Sequence, residues 1–360
     1  MVFGTRPITG RKTAIIAAQK KREPIEDGVA NSKQRGCIVG LPRSGTTWVG
    51  KICDSCPDTL YLHEPDYAKR LPCVPYVASV QEHGVWEPFL QQWMAEVENM
   101  GSRRTVGKKP FFSKSYVSRG ADRFANLIWK NRLFLSAAAE YFTGAELSFE
   151  LPRHLSTASS LIWKSVESLG RLGILASTFP DQKFLHVIRH PCGFVNSVMR
   201  GDRIKAFNKP ISTSADLGLM KWALSTQVAR EYDIDLGRIA ESQPEERLAW
   251  FWLLMNRQAI QDGQRLNNVR TLSYDRLCDA PLAGAAEIFD FFSVSMTKQT
   301  KEFLSPVRKS SNNYFSVNKS PHVASQQWKE SLPTELIDRV DAIAGEFYCS
   351  FESQSFNTDL

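Results

Sequence analysis

The segment Gly40-Leu41-Pro42-Arg43-Ser44-Gly45-Thr46-Thr47-Trp48 carries the strongest chemical signal in the chain. Its two glycines lie between a short apolar run, Cys37-Ile38-Val39, and a helical pattern of Trp48, Val49, Ile52 and Cys53. That is the spacing of a phosphate-binding loop joining a strand to a helix. The glycines let the backbone curl so that amide N–H groups and the helix N-terminus face an anion. Loops that bind nucleoside triphosphates place a lysine where this chain has Thr46, and that lysine reaches the β- and γ-phosphates. Here the cation is Arg43, inside the loop. One cation among the hydroxyls of Ser44, Thr46 and Thr47 suits a single 5′-phosphate carrying a bridging sulfate.

A second anion-binding group lies about 145 residues downstream. Arg189 ends an apolar run, Lys183 to Ile188, and is followed by His190-Pro191. Its guanidinium offers a planar fork to a phosphate. Ser197 adds a hydroxyl from the following helix, and Arg200 is a further cation there.

Several elements must position these groups. Strands are expected at Cys37–Val39, Leu60–Leu62, Leu161–Lys164, Lys183–Ile188 and Val269–Tyr274. Helices are expected after Gly45, over Leu169–Thr178, over Gly193–Arg200 and over Glu246–Gln264. Strands alternating with helices imply an α/β fold: a parallel doubly wound sheet with helices on both faces. In such sheets ligands bind beyond the carboxyl ends of the strands. Arg43, Glu64, Lys164 and Arg189 all fall at those ends.

The string Pro42-Arg43-Ser44-Gly45-Thr46-Thr47-Trp48 resembles the 5′-phosphosulfate loop of the sulfotransferases that use 3′-phosphoadenosine 5′-phosphosulfate (PAPS). The resemblance runs from about residue 35 to about residue 350 and is loose between 66 and 155. It implies PAPS as donor and PAP as product, with no metal required. It implies that Arg43 stabilises charge on the bridging oxygen, that the loop amides and hydroxyls hold the 5′-phosphate, and that Trp48 packs on adenine. Arg189 and Ser197 would hold the 3′-phosphate. Tyr274, in Ser273-Tyr274-Asp275-Arg276-Leu277, resembles a family tyrosine near the adenine, and a core tyrosine is an equal reading. Arg308, Lys309, Lys319 and Trp328-Lys329 lie where the family closes a basic loop over the 3′-phosphate, though the usual Arg-Lys-Gly pattern is missing.

Sulfuryl transfer needs a group to take the acceptor's proton. Small-molecule sulfotransferases use a histidine in Lys-Thr-His. Here that stretch reads Lys164-Ser165-Val166-Glu167, which keeps the lysine and loses the histidine. Carbohydrate and protein-type relatives use a glutamate at about the distance of Glu64 from the loop. Glu64 is therefore the expected base, on a strand expected beside the loop, and Lys164 is expected near the bridging oxygen or the acceptor. His63 and Glu167 remain alternatives, with His63 expected on the opposite strand face from Glu64. An ion pair between Glu64 and a nearby cation is the plain structural reading.

The chain has 360 residues, a net charge of +7 and seven cysteines. An odd, scattered cysteine set predicts reduced thiols. Cys53 and Cys56 lack the partners that a zinc site would need. Residues 1–34 form a basic stretch, expected to be a flexible arm; 35–355 are expected to be a single domain. Within it, 66–155 form a largely helical insertion over the active-site face, which together with 203–245 shapes the acceptor pocket. Lys108, Lys109 and Lys114 could meet an acidic glycan there or stay solvated. The expected acceptor carries a hydroxyl or an amine, a carbohydrate or glycolipid first and a small phenol or alcohol next. No apolar run reaches spanning length and no secretory signal is evident, so a cytoplasmic enzyme is expected. No nucleic acid is expected as partner, and a homodimer is left open. Two other classes compete: an ATP-dependent small-molecule kinase, which would need the lost lysine, and a nucleotide- or nucleic-acid-binding protein without catalysis.

Overall fold

The computed structural model describes residues 33–97, 100–102, 105, 107, 109–117, 148–150, 158–207, 210–305 and 320–356. The expectations placed on residues 1–32, Lys108, Arg308, Lys309 and Lys319 lie outside the described residues. Five parallel strands form the main sheet: β1 (Gln34–Val39), β2 (Thr59–His63), β5 (Ser160–Ser165), β6 (Lys183–Ile188) and β7 (Val269–Ser273). Their order across the sheet is β2-β5-β1-β6-β7. Two short strands, β3 (Met100–Ser102) and β4 (Ser148–Glu150), pair antiparallel apart from it.

The strands are apolar almost throughout because both faces of the sheet are covered. Alternation divides their side chains between two cores. Cys37, Val39, Leu161, Trp163, Phe184 and Ile188 face one core, which is filled by Leu248, Trp252 and Met255 of helix Pro244–Gly263. Ile38, Ile162, Leu185, Val187 and Leu272 face the other, against Val49 and Ile52 of helix Thr46–Asp54 and Ile288 and Phe289 of helix Pro281–Phe291. Each such buried side chain contributes about 1.5–3 kcal/mol. The parallel doubly wound sheet expected from the strand–helix alternation is the architecture observed.

Three element expectations need correction. Strand β2 does not lie beside β1, because β5 pairs with both and stands between them. Tyr274 does not end a strand. Ser273 caps a new helix, Tyr274–Asp279, by accepting the Arg276 N–H, and Tyr274 is its first residue. The long helix starts at Pro244, two residues early, because proline is tolerated at the first helical position and Gln243 N–H is satisfied by Glu246 Oε2 at 2.7 Å.

The described part of the insertion is helical at Pro65–Ala68 and His83–Val97 and also carries the β3–β4 pair. Helix His83–Val97 packs beside the sheet, with Trp93 edge-on to Trp163 at 5.6 Å. Gln91, Met94 and Ala95 line a cavity with Gln34 and Arg35 at the start of β1. That part of the insertion therefore flanks the amino ends of the strands, away from the carboxyl ends where it was expected. Among the described residues no helix is long and apolar enough to cross a membrane. All seven cysteines are free thiols, and Cys53 and Cys56 are buried.

Candidate active site

The loop after β1 is bent by two residues with left-handed backbones, Arg43 at φ 76° and Gly45 at φ 88°. Glycine is required at 45 on two counts. Its φ favours glycine, and a Cβ there would lie 2.1 Å from the Tyr274 ring. Helix Thr46–Asp54 begins with no side-chain cap and no acidic residue in its first turn. Its first N–H groups and the positive end of its dipole are thus available to an anion. Ser44 Oγ is buried without a hydrogen-bond partner, as expected of a hydroxyl waiting for one.

Arg43 sits in a conformation that costs about 1–2 kcal/mol for a residue with a Cβ. Partners from β6 and the helix that follows it hold it there. Arg189 Nη1 donates to the Arg43 carbonyl at 3.0 Å, and Arg43 Nε donates to Ser197 Oγ at 3.1 Å. The loop and the Arg189–Ser197 segment, far apart in sequence, are therefore one hydrogen-bonded unit. Arg189 also donates to the Ala324 carbonyl at 2.6 Å and lies 5.2 Å from the centre of the Tyr274 ring. Its Nε is buried without a partner. Trp48 meets Tyr274 edge-on at 6.1 Å. Arg200 donates to Gln327 Oε1 at 2.6 Å.

The Arg189–His190 turn is fixed from two sides. His190 N–H donates to Asp275 Oδ2 at 2.7 Å, and the imidazole stacks on Trp328 at 4.3 Å. Burial, with Lys329 and Arg189 nearby, lowers His190 to about 4, so the ring is neutral at neutral pH. Trp328 is thus a buried prop under this turn.

At the ends of β2 and β5, Lys164 Nζ lies 2.6 Å from Glu64 Oε1, and the Lys164 side chain is only 2% exposed. Glu64 N–H donates to the Lys164 carbonyl at 2.7 Å. His63 was expected on the far face, yet its Nε2 is 3.8 Å from Glu64 Oε1. The alternation fails because Glu64 lies past the strand with a left-handed backbone, φ 47°, which turns its side chain back. Tyr61 and His63 share a hydrogen bond at 3.0 Å. Glu167 is a further carboxyl here. Burial, with Asp66 adding to it, pushes it up to about 7 against Arg70 and Arg171, and its Oε1 is buried without a partner.

Lys114 does not face an acceptor. Its ammonium donates to the carbonyls of Asp54, Cys56 and Thr59 and pairs with Asp54 at 2.9 Å, closing the end of helix Thr46–Asp54. Lys109 is exposed. The sequence reading passed over Asp66, Ser165 and Ser168, three buried polar side chains gathered beside Glu64 and Lys164. Their only signal was a set of small polar residues just past two strand ends.

A sequence model of the sulfotransferase family matches residues 37–298, and the chain belongs to that family. Solved structures similar to it include the sulfotransferase domain of the olefin synthase from Synechococcus PCC 7002. That pair is 16% identical, covering 87% of this chain and 94% of that one, with a TM-score of 0.42. The sulfotransferase domain from the curacin biosynthetic pathway is 12% identical, covering 88% and 98%, with a TM-score of 0.45. A mouse sulfotransferase complexed with PAP is 11% identical, covering 87% and 84%, with a TM-score of 0.38. No curated protein matches the chain.

Proposed function

We propose that this enzyme transfers the sulfuryl group of PAPS to a hydroxyl or amine, on a carbohydrate or glycolipid, with Glu64 as the base. The observation that carries the reading is the Glu64–Lys164 pair, 2.6 Å apart at the ends of β2 and β5, the second of which lies beside the strand that leads into the loop. PAPS supplies the activated sulfuryl group and a phosphate leaving group. Pro42, Arg43, Ser44, Gly45, Thr46 and Thr47 form the cradle for the 5′ end, and the unpartnered Ser44 Oγ and uncapped helix start fit an anionic group. Trp48 and Tyr274 offer aromatic faces for the adenine, and Arg189 with Ser197 is the proposed 3′-phosphate pair.

Glu64 takes the proton as the acceptor oxygen attacks sulfur in line. The bond from sulfur to the bridging oxygen breaks, and its electron pair stays on the phosphate oxygen. Lys164 and Arg43 stabilise the charge that develops there, a preorganised electrostatic effect. Lys164 also pairs with the Glu64 carboxylate and fixes its place at the strand ends. The carbohydrate class rests on Glu64, placed at about the distance from the loop at which carbohydrate and protein-type relatives carry a glutamate, and on the loss of the histidine that small-molecule relatives carry after Lys164.

The test is turnover of radiolabelled PAPS against a panel of carbohydrates, glycolipids, phenols and alcohols. Labelled carbohydrate or glycolipid is the expected product. Glu64→Gln should reduce turnover by roughly 10²–10⁴-fold, the range for loss of a general base, with PAP affinity unchanged. A Glu64→Gln enzyme at full rate would remove Glu64 from the chemistry. Labelled phenol alone would move the acceptor class.

A further inference from the structure

Glu64 keeps a left-handed backbone, φ 47°, which a residue with a side chain holds only when its surroundings impose it. One restraint is the Glu64 N–H bond to the Lys164 carbonyl. A second comes from Asp66, two residues on. Asp66 Oδ2 accepts from the hydroxyls of both Ser165 and Ser168, the latter at 2.6 Å. Ser165 Oγ in turn accepts the N–H groups of Glu167 at 3.0 Å and Ser168 at 2.9 Å. One carboxylate just past Glu64 thus grips the turn that begins one residue past Lys164.

We propose that Asp66 is a positioning residue for sulfuryl transfer: by clasping Ser165 and Ser168 it holds the Glu64 carboxylate against the Lys164 ammonium. The inference rests on the reading of Glu64 as base. Asp66 is only 2% exposed, and its Oδ1 is buried without a partner. Burying a carboxylate with one oxygen unsatisfied is unfavourable, so a plain tether between two loops does not call for it. Burial, and secondarily Glu64, raise its proton affinity, while the two serine bonds oppose this. A neutral asparagine would still offer an oxygen to both serines; alanine would not.

That difference gives a test in which geometry and charge act with opposite signs. The probe is the carboxyl resonance of Glu64 in full-length protein labelled with ¹³C-glutamate, assigned through Glu64→Gln. Among the described residues, the ionisable groups around it include Lys164, His63, Tyr61, Asp66 and Glu167. Asp66→Ala removes a neighbouring negative charge, which alone lowers the Glu64 midpoint. If the clasp is lost, Glu64 also leaves Lys164, and the midpoint rises, by roughly 1 unit or more. The expected result is a rise for Asp66→Ala and a fall for Asp66→Asn, which keeps the clasp.

Where Asp66→Ala does not fold, the pair Ser165→Ala with Ser168→Ala serves instead. It leaves the charge in place and should raise the midpoint. A fall in both Asp66 variants, or an unmoved midpoint in the serine pair, overturns the proposal. If Glu64→Gln is slow in turnover while the clasp variants leave the Glu64 titration unmoved, the clasp alone fails. If Glu64→Gln keeps full turnover, the base assignment fails and this inference falls with it.

Discussion

At the scale of single residues, conformation and burial create the site. Arg43, Gly45 and Glu64 all have left-handed backbones, and Arg43 and Glu64 are each held by a hydrogen bond to another strand end. Gly45→Ala places a methyl group into the Tyr274 ring at a φ that alanine disfavours. Calorimetric melting should show a loss of at least about 1 kcal/mol, and PAP affinity should fall with it. Glu167 makes a pH prediction. Its carboxyl binds its proton more tightly folded, at about 7, than unfolded, at 4.5. The stability it contributes is complete below the unfolded value and is lost as pH rises through the folded one. Urea unfolding should therefore show a loss of up to about 3 kcal/mol between about pH 5 and about pH 8 in this group's share. Glu167→Gln should flatten that decline, and an unchanged slope would show the carboxyl is not held protonated.

At the scale of elements, strand ends deliver these residues and helix ends receive them. The strands were legible because a parallel sheet covered on both sides leaves unbroken apolar runs such as Phe184-Leu185-His186-Val187-Ile188. The bent loop between β1 and helix Thr46–Asp54 was legible because its glycines are local. The order of strands was not, since nothing in the run Leu60-Tyr61-Leu62 tells that β5 will insert between it and β1. The convergence of His63 on Glu64 was hidden by a single backbone turn past the strand. Lys114 was misread for a related reason. A lysine in a basic, aromatic stretch looks solvated, yet this one closes a helix whose end is 55–60 residues earlier in the chain. Lys114→Met should cost about 1.5–3 kcal/mol in denaturant unfolding, the range for hydrogen bonds from a charged group, and leave PAP affinity unchanged. Weakened PAP binding with normal stability would contradict that role.

At the scale of the whole molecule, the main sheet brings the proposed anion-binding groups to the carboxyl ends of its strands. Arg43, Ser44, Lys164, Arg189 and Ser197 come from three neighbouring strand ends, β1, β5 and β6, and the loop and helix that follow. Arg189 is bonded to the Arg43 carbonyl, so the two ends of a phosphorylated nucleotide would be read by one connected unit. The proposed function requires this unit to recognise a 3′-phosphorylated adenosine nucleotide and not a triphosphate. Calorimetric titration of the full-length protein with PAP, with ATP as control and Arg189→Ala beside it, tests that most directly. PAP binding should weaken with salt, fall by at least about tenfold in Arg189→Ala, and greatly exceed ATP binding. A folded protein that ignores PAP, or that binds ATP as well as PAP, would contradict it.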